Sequence, residues 1–157
     1  MTNVYEGVLN AKGLKFGIVT SRFNSFITQQ LVEGAKDTLI RHNCAENNID
    51  LVKVPGSYEI SFAVKKMLET KKYDAVIAVG AIIRGETPHY DYLSSEVTKR
   101  LVDLSIQYDI PVASGIITTE NLEQAIERAG SKAGNRGSEA AISAIEMANL
   151  VSSLSRK

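Results

Sequence analysis

Two alternating periodicities constrain what this chain can fold into. Four short runs rich in β-branched residues, at 15–20, 50–54, 74–81 and 111–117, are separated by longer stretches whose apolar residues recur every three or four positions. In the stretch 26–43, Ile27, Leu31, Ala35 and Leu39 stand four apart; in 90–108, Val97, Leu101 and Leu104 share one face. The stretch 58–69 is amphipathic, and two further helical patterns, 121–129 and 138–154, flank the glycine-rich GSKAGNRG at 130–137. Runs that are apolar almost throughout are buried on both faces, and runs separated by helices are joined by crossovers. The pattern therefore predicts a four-stranded parallel sheet covered by helices on both sides, a flavodoxin-like three-layer α/β/α fold.

Length and composition narrow the function classes. A chain of 157 residues, 44% of them hydrophobic, can build one sizeable core, so residues 1–157 are expected to form one domain. Eighteen basic residues balance eighteen acidic ones, leaving no broad field to attract nucleic acid or an anionic membrane. Cys44 is the only cysteine, which excludes an internal disulfide framework; with two histidines beside it, no metal site is expected. The opening MTNVYEGVLNAKG has no basic start leading into an apolar run, and no apolar stretch reaches membrane-spanning length. A cytoplasmic protein is expected. The segment 4–9 has strand character but precedes the first run by only a glycine turn around Gly13, too short for a parallel crossover within one sheet. It is expected to be an edge strand that pairs with a neighbouring subunit.

In open parallel sheets, ligands bind beyond the carboxyl ends of the strands. Following the four runs in turn stand Ser21-Arg22-Phe23-Asn24, Pro55-Gly56-Ser57-Tyr58-Glu59, and Ile82-Ile83-Arg84-Gly85-Glu86-Thr87-Pro88-His89, with Ser114 near the end of the fourth. The third loop runs through glycine and a polar turn into a helix, offering free backbone N–H groups suited to a phosphate, to which Thr87 adds a hydroxyl. His89 titrates near neutrality and can move protons either way, although the same loop also reads as a turn and helix cap. Phe23 is placed to stack on a planar ring or to act as a hydrophobic staple before a cap at Asn24 or Ser25. Glu59 can hold a ligand hydroxyl or amine, or favour a helix dipole. Arg128, Lys132 and Arg136 bracket GSKAGNRG as a local cationic cluster, either an anion grip or a solvated helix connection; the segment matches neither a Walker A loop nor GxGxxG. His42, closing the first helical pattern, reads as a partner of the helix carboxyl end.

Taken in order, FGIVTSRFN, VPGSYEI, AVGAIIRGETPHYDY, GIITTENLEQAIERAGSKAGNRG and SAIEMANL resemble the lumazine synthase family across nearly the whole chain. The resemblance implies condensation of 5-amino-6-(D-ribitylamino)uracil with 3,4-dihydroxy-2-butanone 4-phosphate, with no cofactor and no metal. It implies that Phe23 stacks on the pyrimidine and that Ser57, Tyr58 and Glu59 line the ribityl chain. Ala81, Ile82 and Ile83 would supply backbone contacts, Gly85, Glu86, Thr87 and Arg128 the phosphate site, and His89 the proton transfers. It further implies pentamers whose sites lie between subunits, so that Arg128 and Arg136 reach a ligand held by the adjacent chain. The absence of extra residues between the last two helices goes, within the family, with pentamers closing into an icosahedral shell, and riboflavin synthase is an implied partner. The chain departs from the family pattern at Ser114, where phenylalanine is common in the pyrimidine pocket, and at Arg136, where lysine is usual; arginine there presents a planar fork in place of a point charge.

Overall fold

The computed structural model describes residues 1–85, 90–130 and 134–155. Four strands alternate with five helices: β1 (Phe16–Ser21), α1 (Ser25–Arg41), β2 (Ile49–Val54), α2 (Ile60–Glu69), β3 (Ala75–Ile83), α3 (Tyr90–Tyr108), β4 (Val112–Thr119), α4 (Leu122–Arg128) and α5 (Arg136–Ser155). All strand pairs are parallel and the order is β2-β1-β3-β4, with Val19 opposite both Val52 and Ala78, and Ile82 opposite Thr118. The sheet expected from the sequence is thus present, with helices on both faces.

The two-residue period of the strands sorts side chains into two cores. On one face Phe16, Ile18, Ile77 and Val79 pack with Leu31, Leu39, Ala141 and Ile145 beneath α1 and α5. On the other, Val19, Val76 and Ala78 pack with Ile60, Val64, Leu68, Val97 and Leu101 beneath α2 and α3. Double-sided burial explains why the runs of β1 and β3 are almost continuously apolar. The strands begin and end one or two residues later than their hydrophobic runs, except β2, which begins one residue earlier and ends where its run ends.

Local chemistry ends and starts the helices. Asn43, at φ 80°, takes the left-handed conformation just after α1, and Asp109, at φ 58°, does so after α3. The expected helix 58–69 is divided, Ser57–Glu59 forming a tight 3-10 turn before α2 begins. The last helix starts two residues earlier than its apolar pattern, because Asn135 caps it: Asn135 Oδ1 accepts the Ser138 N–H at 3.0 Å. Asn135 Nδ2 also donates to the Gln30 carbonyl at 2.9 Å, tying the start of α5 to α1.

The segment 4–9 forms no strand within its own chain. Its end lies against α5, where Asn149 Nδ2 donates to the carbonyls of Val8 at 2.7 Å and Asn10 at 3.0 Å. Gly7 lies against the Glu146 carbonyl, where a Cβ would collide.

Candidate functional site

The carboxyl ends of β1, β2 and β3 converge on one edge of the sheet. Arg22 N–H donates to the Val54 carbonyl at 2.7 Å and Phe23 N–H to that of Pro55 at 3.1 Å, so the loops after β1 and β2 are joined by backbone bonds. Asn24, left-handed at φ 62°, then turns the chain into α1 and leaves the Phe23 ring 55% exposed. The staple reading of Phe23 asks for an apolar residue in the first turns of α1, but the corresponding position is the buried Thr28, whose hydroxyl donates to the Ser21 carbonyl at 2.9 Å. After β2, Glu59 Oε1 accepts the Gly56 N–H at 2.9 Å, holding the 3-10 turn in shape.

A cavity of about 200 Å³ opens between these loops, bounded by Phe23, Gly56, Ser57, Tyr58, Ala81, Ile82, Ile83 and Leu93. Six residues singled out from the sequence therefore come together here, and Glu59 adjoins them through its cap on Gly56. Leu93 was not singled out; its signal is an apolar residue one turn into a helix that follows the loop after β3. The cavity offers two exposed aromatic residues, Phe23 and Tyr58, an apolar strip from the end of β3, and the backbone of the 56–58 turn. That combination suits a flat ring carrying a polar chain.

Arg84, following β3, is a second residue that the sequence reading did not select. Its Nε lies 2.9 Å from Glu120 Oε2 and its Nη2 3.3 Å from Asp91 Oδ1, while the guanidinium carbon sits 4.9 Å from the centre of the Tyr90 ring. One cation thereby joins the start of α3 to the loop between β4 and α4. Gly85 adopts φ 90°, a conformation that favours glycine, and α3 begins at Tyr90. The expected phosphate turn and proton carrier, Glu86, Thr87 and His89, lie outside the described residues, as does Lys132.

Three other expected site residues are not brought to this cavity within the chain. Arg128 Nη1 donates to the Thr118 carbonyl at 3.1 Å, next to the end of β4. Arg136 Nε pairs with Glu139 Oε2 at 3.6 Å in the first turn of α5, and a backbone bridge between Ala129 and Asn135 draws the two ends of the glycine-rich segment together. Ser114 is exposed, opposite Ala78 in register, and its Oγ accepts the Ile116 N–H at 3.3 Å. It stands three residues before Ile117, the partner of Ala81, or roughly 10 Å along the strand. His42 caps the carboxyl end of α1, its Nδ1 2.7 Å from the Thr38 carbonyl.

Among the described residues, no group of three His, Cys, Asp or Glu is arranged to hold a metal ion, and no helix is long and apolar enough to cross a membrane.

Residues 13–152 match the family model of 6,7-dimethyl-8-ribityllumazine synthase. Two relatives bearing that name, from two strains of Clostridium kluyveri, are each 58% identical to this chain over 151 residues, covering 96% of it and 98% of the relative. The matched region runs from the turn before β1 into α5 and so includes every strand that carries the cavity. On this similarity, extending over nearly the whole of both chains, the protein belongs to the 6,7-dimethyl-8-ribityllumazine synthase family.

Proposed function

We propose that the cavity between Phe23, the 56–58 turn and the end of β3 is the substrate pocket of this family's reaction, completed by a second copy of the chain. The chain condenses 5-amino-6-(D-ribitylamino)uracil with 3,4-dihydroxy-2-butanone 4-phosphate, yielding 6,7-dimethyl-8-ribityllumazine, phosphate and two waters, the penultimate step of riboflavin biosynthesis. The observation that supports this assignment of the pocket is the cavity of about 200 Å³ that the half-exposed Phe23 shares with Ser57, Tyr58 and the strip Ala81, Ile82 and Ile83.

In this reading Phe23 stacks on the pyrimidine, while Ser57, Tyr58 and Glu59 line the ribityl chain. The backbone at Ala81, Ile82 and Ile83 addresses the ring edge. Gly85, Glu86 and Thr87 with Arg128 grip the phosphate, and His89 moves protons during imine formation and ring closure. Holding amine and ketone in near-attack geometry supplies much of the acceleration. Arg128 and Arg136, which lie away from the cavity in their own chain, act on the pocket of an adjacent subunit, and Ser114 replaces an apolar wall of the pyrimidine pocket. Residues 4–9, which form no strand within the chain, join a neighbour's sheet edge. Pentamers closing into an icosahedral shell, with riboflavin synthase as a partner in the cytoplasm, complete the proposal, as does the treatment of residues 1–157 as one domain.

The test is absorbance of the purified protein mixed with both substrates, following lumazine formation against a protein-free control. Acceleration is expected, and Arg128→Ala should reduce it by about tenfold or more through weakened binding of the phosphorylated substrate. No acceleration at saturating substrate would leave an assembly protein without catalysis.

A further inference from the structure

Arg84 is held by its backbone and by its side chain. Its N–H donates to the Thr119 carbonyl at 2.8 Å, one bond beyond the last paired residues of β3 and β4. Its guanidinium then reaches Glu120 at 2.9 Å and Asp91 at 3.3 Å and lies over the Tyr90 ring. Glu120 is itself a firm post. Its N–H donates to Gln124 Oε1 at 2.8 Å, and the adjoining Asn121 caps α4 by accepting the Gln124 N–H at 2.9 Å. The Thr118 carbonyl, two residues earlier, receives Arg128. The end of β4 thus ties down both arginines that stand near it. The chain leaves β3 through Gly85, at φ 90°, and α3 begins at Tyr90, so one guanidinium stands at both the departure and the return of the chain.

We propose that Arg84 is a positioning residue, a clamp that fixes the Gly85 backbone and the start of α3 against the end of β4 and so holds the proposed phosphate site ready for the phosphorylated substrate. Two carboxylates already claim this one cation, which makes it a poor direct grip for a further anion. An isolated exposed ion pair contributes little, because ordering two long side chains offsets the attraction. Here a single planar fork serves two carboxylates and a ring, so the arginine is ordered once for three contacts. Donors already fixed in place bind an anion without first being ordered, and the clamp acts on affinity through that saving. The inference rests on the phosphate site proposed at Gly85.

Glu120→Ala distinguishes a clamp from a direct grip, because the two predict opposite signs. Loss of the post should raise KM for 3,4-dihydroxy-2-butanone 4-phosphate about three- to tenfold and leave KM for 5-amino-6-(D-ribitylamino)uracil within about twofold. Were Arg84 a direct grip, freeing it from a carboxylate would lower KM for the phosphorylated substrate, and that result would overturn the proposal. Arg84→Ala should raise the same KM about tenfold, with the inhibition constant of inorganic phosphate rising in parallel. Arg84→Lys, which keeps the charge and one ion pair without the fork, should recover part of that loss. Unchanged KM values in Glu120→Ala and Arg84→Lys, at any Tm, would make the cluster structural only and overturn the clamp; so would equal rises for the two substrates. Absence of lumazine formation by the wild-type protein above the protein-free control would instead remove the phosphate site itself, and the clamp with it.

Discussion

Tyr73, just before β3, donates its hydroxyl to Asp50 Oδ2 on β2 at 2.6 Å, and burial followed by that bond pushes its pKa up to about 12 from the usual 10. Because the folded value is the higher one, the stabilisation from this bond is fully present below about pH 10 and is lost as pH rises towards 12. Tyr73→Phe should cost about 1 kcal/mol at neutral pH, and the gap between wild type and variant should close across that alkaline window, as read by urea denaturation at pH 8 and pH 11.5. Cys44 is buried, and desolvation pushes the pKa of its thiol up from the ordinary value. At this scale sequence reading was uneven. Phe23, Ser57 and Tyr58 stood out because they follow strand ends, Ala81 to Ile83 were picked out by the family resemblance, and all six line one cavity. Arg84 did not stand out, because its three partners, Tyr90, Asp91 and Glu120, become neighbours only when the loops after β3 and β4 are folded side by side.

Among the elements, the contact between α1 and α5 is the most exacting. Gly137, in the first turn of α5, sits directly on the Leu31 carbonyl of α1, and Gly34 of α1 sits against the Asn135 side chain. These glycines let two helix backbones approach while Asn135 bonds across them to Gln30. Gly137→Ala should therefore destabilise the fold by about 1–3 kcal/mol in thermal or urea melts, since the added methyl meets backbone, which cannot rotate away. The hydrophobic period revealed all five helices but could not mark this crossing, because the contact is made by the absence of side chains. The same limit delayed the predicted start of α5: Gly137 and Arg136 carry no apolar signal, and the cap at Asn135 is recognisable only once its bonds are seen.

At the scale of the whole molecule, the chain leaves large apolar groups on its surface. Val4, Tyr58, Phe62, Tyr92 and Ile106 are each at least 64% exposed. The arm 1–9 adds to this, held to α5 chiefly through Asn149 and Gly7. Deleting residues 1–9 should leave the far-ultraviolet circular dichroism of the protomer nearly intact while shifting sedimentation from assemblies towards single chains; an unchanged sedimentation profile would detach the arm from assembly.

The layer architecture, the parallel sense of the sheet and the strand ends that gather around the cavity are legible along the chain, because burial on one or two faces imposes a period that is visible locally. Which loops face one another, the bridging of two of them by Arg84, and the distance of Arg128, Arg136 and Ser114 from the cavity of their own chain emerge only on folding. Those arrangements depend on strand order and on where side chains are missing, and neither leaves a periodic trace in the order of the residues.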